Sequence, residues 1–292
     1  IMRKYFILFY WLLFSLKIFI SWGCSNQKLK IQDAQSQNVE FLIQQAKQLW
    51  EQRSDSSSVI KANYILGLVN EVEKNDKEII NMYSRSLFFQ GMFLEYDKKK
   101  KDSLFLKGAE VAKYSVLNDS LFKSTFNRTI GDDEFKIISA LSIAPKELVP
   151  SMYWWAKNKL WYLNNKPAIE RINHRELLEV IMHRIIALEP DYLYGGPYRF
   201  FGLLYTRIPG LKLNQSETYF NQSLASNPEF LGNAVLMAEF YHQKAGNREK
   251  FHKTLQDVVN YDIAQYPELL TDNLFFQNKA AKLLESESSL FE

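Results

Sequence analysis

The stretch from Asp191 to Phe230, DYLYGGPYRFFGLLYTRIPGLKLNQSETYFNQSLASNPEF, constrains the fold more than any other part of this chain. Apolar residues recur at helical spacing on both sides of Ile208-Pro209-Gly210, which reads as a turn. In the first half Gly202 stands between Phe201 and Tyr205; in the second, Phe220 and Ser223 lie about one turn apart. A glycine on one helix lets a second helix approach closely, and a large side chain fills the gap beside it. Pro228 then closes the unit, because proline cannot continue a helix.

These positions fall on the tetratricopeptide (TPR) pattern. Phe201-Gly202 and Tyr205 take the L-G-x2-Y places of the first helix, Phe220 and Ser223 the Phe and small-residue places of the second. The turn carries about two residues more than the roughly 34-residue repeat. The expected fold is therefore all-α, a TPR-like helical-hairpin solenoid, an architecture that usually binds rather than catalyses. The rest of the chain agrees. Phe41, Leu42, Ala46, Leu49 and Trp50 form one apolar stripe, and Ser54-Asp55-Ser56 offers N-cap chemistry. A second helix carries Ile60 to Val69 and ends near Asn75-Asp76; a third runs from Lys77 to Tyr96 and a fourth from Ser103 to Val116. The run Lys98 to Lys101 reads as a solvated loop. Residues 118–133 are less regular. Helices are expected over Ser151 to Leu163, His174 to Leu188, Ala234 to Lys244, Arg248 to Ile263 and Leu274 to Leu284, with no convincing strand.

The N-terminus points to export. Met2-Arg3-Lys4 is basic, and about a dozen mostly apolar residues follow from Tyr5 to Leu16. Ile20-Ser21-Trp22-Gly23-Cys24 then places the chain's single cysteine where a lipoprotein signal is cut, so Cys24 is the expected lipidation site. Ser21 in place of the usual leucine, the bulk of Trp22 and the charge of Lys17 depart from that signal; an uncleaved anchor is the competing reading, although a span needs about 20 apolar residues. The expected organisation is a signal over 1–24, a polar, Gln-rich tether over 25–38, and the solenoid over 39–292. Ser25, in place of an inner-membrane-retaining aspartate, favours the outer membrane. With Cys24 acylated, no cysteine remains for a disulfide. A net charge of +3 on 292 residues leaves no nucleic-acid footprint.

Aromatic residues make up 15% of the chain, and they cluster. In Tyr153, Trp154, Trp155, Trp161 and Tyr162 the rings point in too many directions for all to serve one packing face. Two readings fit: packing between hairpins, or a ligand cleft to which Trp154 and Trp161, seven residues apart on one face, contribute and in which Asn158 supplies a hydrogen bond. Tyr194-Gly195-Gly196-Pro197 is either a turn required between hairpins or part of the same groove. Arg199 lies on an otherwise apolar helix, where its fork would bind a ligand carboxylate or an acidic neighbour. Trp154, Asn158, Trp161, Tyr194, Arg199 and Phe200 are the groove candidates. His174, His183, His242 and His252 stand in no metal-binding or catalytic spacing, and no nucleophile elbow or phosphate loop occurs. No cofactor and no enzymatic activity are expected.

Met152-Tyr153-Trp154-Trp155-Ala156, the string Tyr194-Gly195-Gly196-Pro197-Tyr198-Arg199-Phe200-Phe201-Gly202, and Pro228-Glu229-Phe230 occur in an order and spacing that resemble the TatT component of TPR-associated TRAP transporters. The resemblance covers most of residues 40–286 and is strongest from about residue 148 onward. It implies a periplasmic lipoprotein of stacked helical hairpins. It also implies a TRAP-type solute-binding protein as partner, trimers with a ligand-sized pore or cleft, and a role in importing hydrophobic or organic-acid ligands. The expected function is a lipid-anchored accessory component of TRAP-type uptake. The alternative is a TPR scaffold lipoprotein of outer-membrane protein assembly, which would grip protein segments and have no small-molecule cleft.

Overall fold

The computed structural model describes residues 37–292. The signal, Cys24 and all of the tether but its last two residues lie outside the described residues. What is described is all-helical, without a strand among the described residues. α1 spans 37–51 and is followed by α2 (Ser56–Val72), α3 (Lys77–Phe89) and α4 (Lys98–Asn118). Aspartate starts each of these last three. Asp55 accepts from the Ser57 amide, Asp76 from those of Glu78 and Ile79, and Asp97 from that of Lys100. Each such cap is worth about 1 kcal/mol.

Two expectations need correction here. Lys98 to Lys101 is not a loop but the first turn of α4, where the Asp97 side chain accepts from the orphan Lys100 amide. The irregular region contains α5 (Ser120–Arg128), which starts without a connecting loop because Asp119 both ends α4 and caps α5. It is followed by α6 (Asp133–Ser142), capped by Asp132.

α7 (Val149–Asn164), α8 (Ala168–Asn173), α9 (Arg175–Leu188), α10 (Tyr192–Arg207) and α11 (Leu213–Ser226) follow. α12 (Gly232–Leu236), α13 (Arg248–Val259), α14 (Leu270–Glu285) and the short α15 (Glu287–Leu290) complete the chain. Consecutive long helices run antiparallel, as their cross-contacts show. Asn63 of α2 meets Ser86, while Gly67 meets Tyr83. Ser84 of α3 donates to the Gly108 carbonyl, while Lys77 pairs with Asp119. Gly108 of α4 faces Asn158 of α7, and Ser115 bonds Ser151.

The α10–α11 pair has the packing read from the sequence. A Cβ on Gly202 would lie 2.7 Å from the Phe220 ring, and Ser216 donates to the Gly202 carbonyl at 2.7 Å. Only a glycine permits that approach. Phe201 stacks on Tyr219 with centroids 4.8 Å apart, and Gly210 turns the chain at φ +82°. A small core joins α1, α2 and α3 through Ala46, Leu66, Ile79 and Ile80; a larger one runs from Phe88 through α7 and α10 to Phe276. The early and late helices also meet. Phe275 of α14 lies 4.9 Å from Phe89 and 5.2 Å from Phe93, and Asp272 pairs with Arg53 at 2.8 Å.

Candidate functional site

Between α3, α7, α10 and α14 the helices leave a cavity enclosing about 730 Å³ of empty space, its open mouth included. The room left free between the wall side chains is about 50 Å³, so an organic ligand must part those side chains to enter. α7 provides Trp154, Lys157 and Trp161, which share one helix face at i, i+3 and i+7 spacing. α3 provides Arg85, Phe88 and Phe89. Beyond α3 the helix widens into a π turn over Gln90–Leu94, which sets Met92 and Phe93 into the wall. A second π turn, Met237–His242, extends α12 just beyond Leu236, another wall residue. Such turns shift side chains by one register step and often mark functional sites. Asp272 and Phe276 of α14 close the remaining side.

Five of the six groove candidates line this one cavity: Trp154, Trp161, Tyr194, Arg199 and Phe200. Asn158 does not. It is fully buried on the α4-facing flank of the same stripe, wedged against Gly108, where its amide donates to the Ser84 hydroxyl at 3.0 Å and the Trp154 carbonyl at 3.0 Å. The hydrogen bond assigned to a ligand from sequence is spent on the α3–α4–α7 joint.

Arg199 does not meet the acidic neighbour that was one of its expected partners. No carboxylate pairs with it among the described residues. Its terminal nitrogens donate to the carbonyls of Leu193 (3.1 Å) and Tyr194 (2.9 Å), to the Asn233 side chain, and more weakly to the Tyr153 hydroxyl at 3.5 Å. Its guanidinium also lies over the Phe230 ring at 4.7 Å. The two carbonyls belong to a left-handed turn: Leu193, Tyr194 and Gly195 have φ values of 47°, 62° and 69°. A left-handed conformation costs a non-glycine residue about 1–2 kcal/mol. Charge-assisted hydrogen bonds from a buried arginine offset that cost and fix the wall where Leu193, Tyr194 and Gly196 face the cavity. Burial lowers the pKa of Arg199, and the Tyr153 hydroxyl counters that in part.

The residue that sequence reasoning missed is Lys157. Its Nζ stands 4.2 Å from the Phe88 ring centroid, 4.9 Å from that of Trp154 and 5.3 Å from that of Tyr153. The side chain is half-buried, and the surface it shows faces the cavity. Burial first, then the charges of Arg199 and Arg85, hold its pKa well below the ordinary lysine value; Asp272 is the one opposing influence. A cation on the helix face that also carries Trp154 and Trp161 was the available signal.

On the far side of Met92 and Trp161, which border both spaces, lies a second, more polar cavity with Lys98, Lys101, Arg207 and Lys279 around Glu239. The histidines take packing and ion-pair roles: His242 is buried, His183 lies against Phe201 at 4.7 Å, and His252 pairs with Glu287 at 2.7 Å. Among the described residues no group of carboxylates and histidines could hold a metal ion, and no helix is long and apolar enough to cross a membrane.

The cavity's walls fall largely within one stretch of the chain, and that stretch has relatives. The family model of TAtT, the TRAP transporter T-component, matches residues 91–291. The chain belongs to that family. A comparison with curated proteins gave no match. The matched span takes in α4 to α14 and every cavity residue except those of α3; α1, α2 and α3 precede it. A TRAP T-component is an accessory of transport, associated with transporter components, and the family suggests a periplasmic protein.

Proposed function

We propose that this protein is a lipid-anchored T-component that holds an organic ligand in the α3–α7–α10–α14 cavity and exchanges it with a TRAP-type solute-binding protein. The observation that carries this reading is the cavity itself. It is walled by aromatic rings and carries Arg85, Lys157 and Arg199 against the single carboxylate of Asp272. That carboxylate is already engaged by Arg53. Apolar walls with a cationic bias suit hydrophobic or organic-acid ligands. The mechanism is non-covalent: the ligand enters or leaves through the mouth while the partner is docked. Lipid on Cys24 would hold the protein at the membrane, with the outer membrane favoured, and raise its local concentration beside the transporter. The antiparallel helix pairs support a TPR-like solenoid as the scaffold, and trimerisation would bring several such cavities together.

The test is a titration of the full chain with the solute-binding protein of the same TRAP system, followed by calorimetry. A specific complex supports the reading. No complex, with or without organic acids present, together with co-purification of a β-barrel insertase, would replace it with the scaffold alternative.

A further inference from the structure

We propose that Lys157 selects the ligand of this cavity, and that what it selects is the carboxylate end of an amphiphilic organic acid whose apolar body lies along Phe88, Phe93 and Trp154. The proposal rests on the cavity being a ligand site. It starts from an accounting of the cations around it. Arg199 has its terminal nitrogens engaged by Leu193, Tyr194, Asn233 and Tyr153. Arg85 lies 3.7 Å from Asp272 and over the Trp50 ring at 5.3 Å. Lys157 is the cavity cation with no hydrogen bond and no ion pair among the described residues; three aromatic faces are what surrounds its ammonium group.

Ring faces compensate a desolvated ammonium only in part, since it keeps three N–H donors without acceptors. An aromatic box of this kind would normally take a cation from outside, but here the cation is built in. The complementary ligand is therefore an anion, and its remainder must be apolar to match rings and Met92. A carboxylate fits best, because the ammonium would make a charge-assisted hydrogen bond to it in a dry site. A free alcohol or alkane would leave the ammonium unpaired.

Proton linkage follows. The charged groups facing Lys157 are Arg199 from α10, Arg85 from α3 and Asp272 from α14, with the Tyr153 hydroxyl on its own helix. In the free protein burial and the two arginines favour the neutral amine. A bound carboxylate favours the ammonium, so between the free and the bound pKa of Lys157 binding takes up protons and strengthens as the pH falls.

The experiment measures quenching of tryptophan fluorescence in the full chain by decanoate and by 1-decanol, in the native protein and in Lys157→Met. The expected result is that the native protein prefers decanoate by about tenfold or more, and that the variant binds both alike. Methionine matches the length of the lysine stem, and a thermal melt checks that the variant is folded. Calorimetry of the native protein with decanoate in two buffers of different ionisation enthalpy should show net proton uptake, with no substitution needed. A variant that keeps the preference for decanoate, or native binding that takes up no protons at any pH up to the alkaline range, overturns the role of Lys157 and leaves the cavity as a ligand site. A native protein that binds neither probe overturns both.

Discussion

Two flanks of one face of α7 carry neighbouring residues with opposite fates. On the side facing α3 and α4, Asn158 is fully buried, bonded to Ser84 and pressed against Gly108, and Ser151 joins Ser115 and Asn81 in a chain of hydrogen bonds of 3.0 and 2.9 Å. On the side facing the cavity, Lys157 has rings around it and no partner for its donors. The first side pairs its buried donors and hydroxyls, although the Asn158 Oδ1 has no partner among the described residues. The second carries an amine whose donors have no partner among the described residues. One helix face thus carries both a joint that holds the fold and a wall of the cavity. A single residue step along the chain decides which side a group serves.

The largest effect should come from closing the joint by force. Gly108→Leu places a branched side chain where Asn158 atoms would stand 2.7 Å from its Cβ. It should cost about 3 kcal/mol, which for a chain of this size lowers the melting temperature by roughly 6–12 °C. A variant that melts like the native protein would mean the joint is loose. Next comes Arg199→Met, which leaves the Leu193 carbonyl without its donor and the Tyr194 carbonyl with a weaker set; a loss of about 2–3 kcal/mol in denaturant unfolding is expected. A smaller loss, about 1–2 kcal/mol, is expected for Asn158→Ala, and decanoate affinity should stay unchanged because Asn158 does not reach the cavity. If that affinity falls, the two flanks of α7 are not independent.

Lys157→Met should act in the opposite direction and weakly, stabilising by about 1 kcal/mol or less. Its signature is in the pH dependence. The folded pKa of Lys157 lies below that of the unfolded chain, so between the two the unfolded state binds more protons and stability rises with pH. Below the folded pKa the cost of the buried ammonium is present in full. Chemical denaturation across alkaline pH should show this rise in the native protein and a flatter profile in the variant.

Much of this arrangement was written in the sequence. Gly202, Phe220 and Ser223 announced the α10–α11 pair because close helix approach demands small and large residues at fixed offsets. Trp154, Trp161, Tyr194, Arg199 and Phe200 were legible as a group because rings and glycines outnumbered the positions one packing face needs. The π turns were not legible: one extra residue in a helical turn leaves apolar periodicity nearly intact, so the segments reaching Met92 and Phe240 read as ordinary helix. The partners of Arg199 were hidden for another reason. They are carbonyls, turned inward by positive φ at Leu193 and Tyr194, and neither residue type advertises that conformation. Lys98 to Lys101 was misread because charge alone argued for solvent, whereas the preceding Asp97 had already set a helix start.

Asp272 of α14 bonds Arg53, just beyond α1, and lies 3.7 Å from Arg85 of α3, while Phe275 locks between Phe89 and Phe93. A row of helices that merely stacked could be shortened at one margin and leave the remainder standing. Here the late helix is the clasp of a bracelet fastened onto the early ones, and the hollow lies inside the loop. Trimming α14 would yield an unfastened bowl in place of a smaller copy of the same container, and a pull on the segment before α2 would tug at the same buckle from the other end.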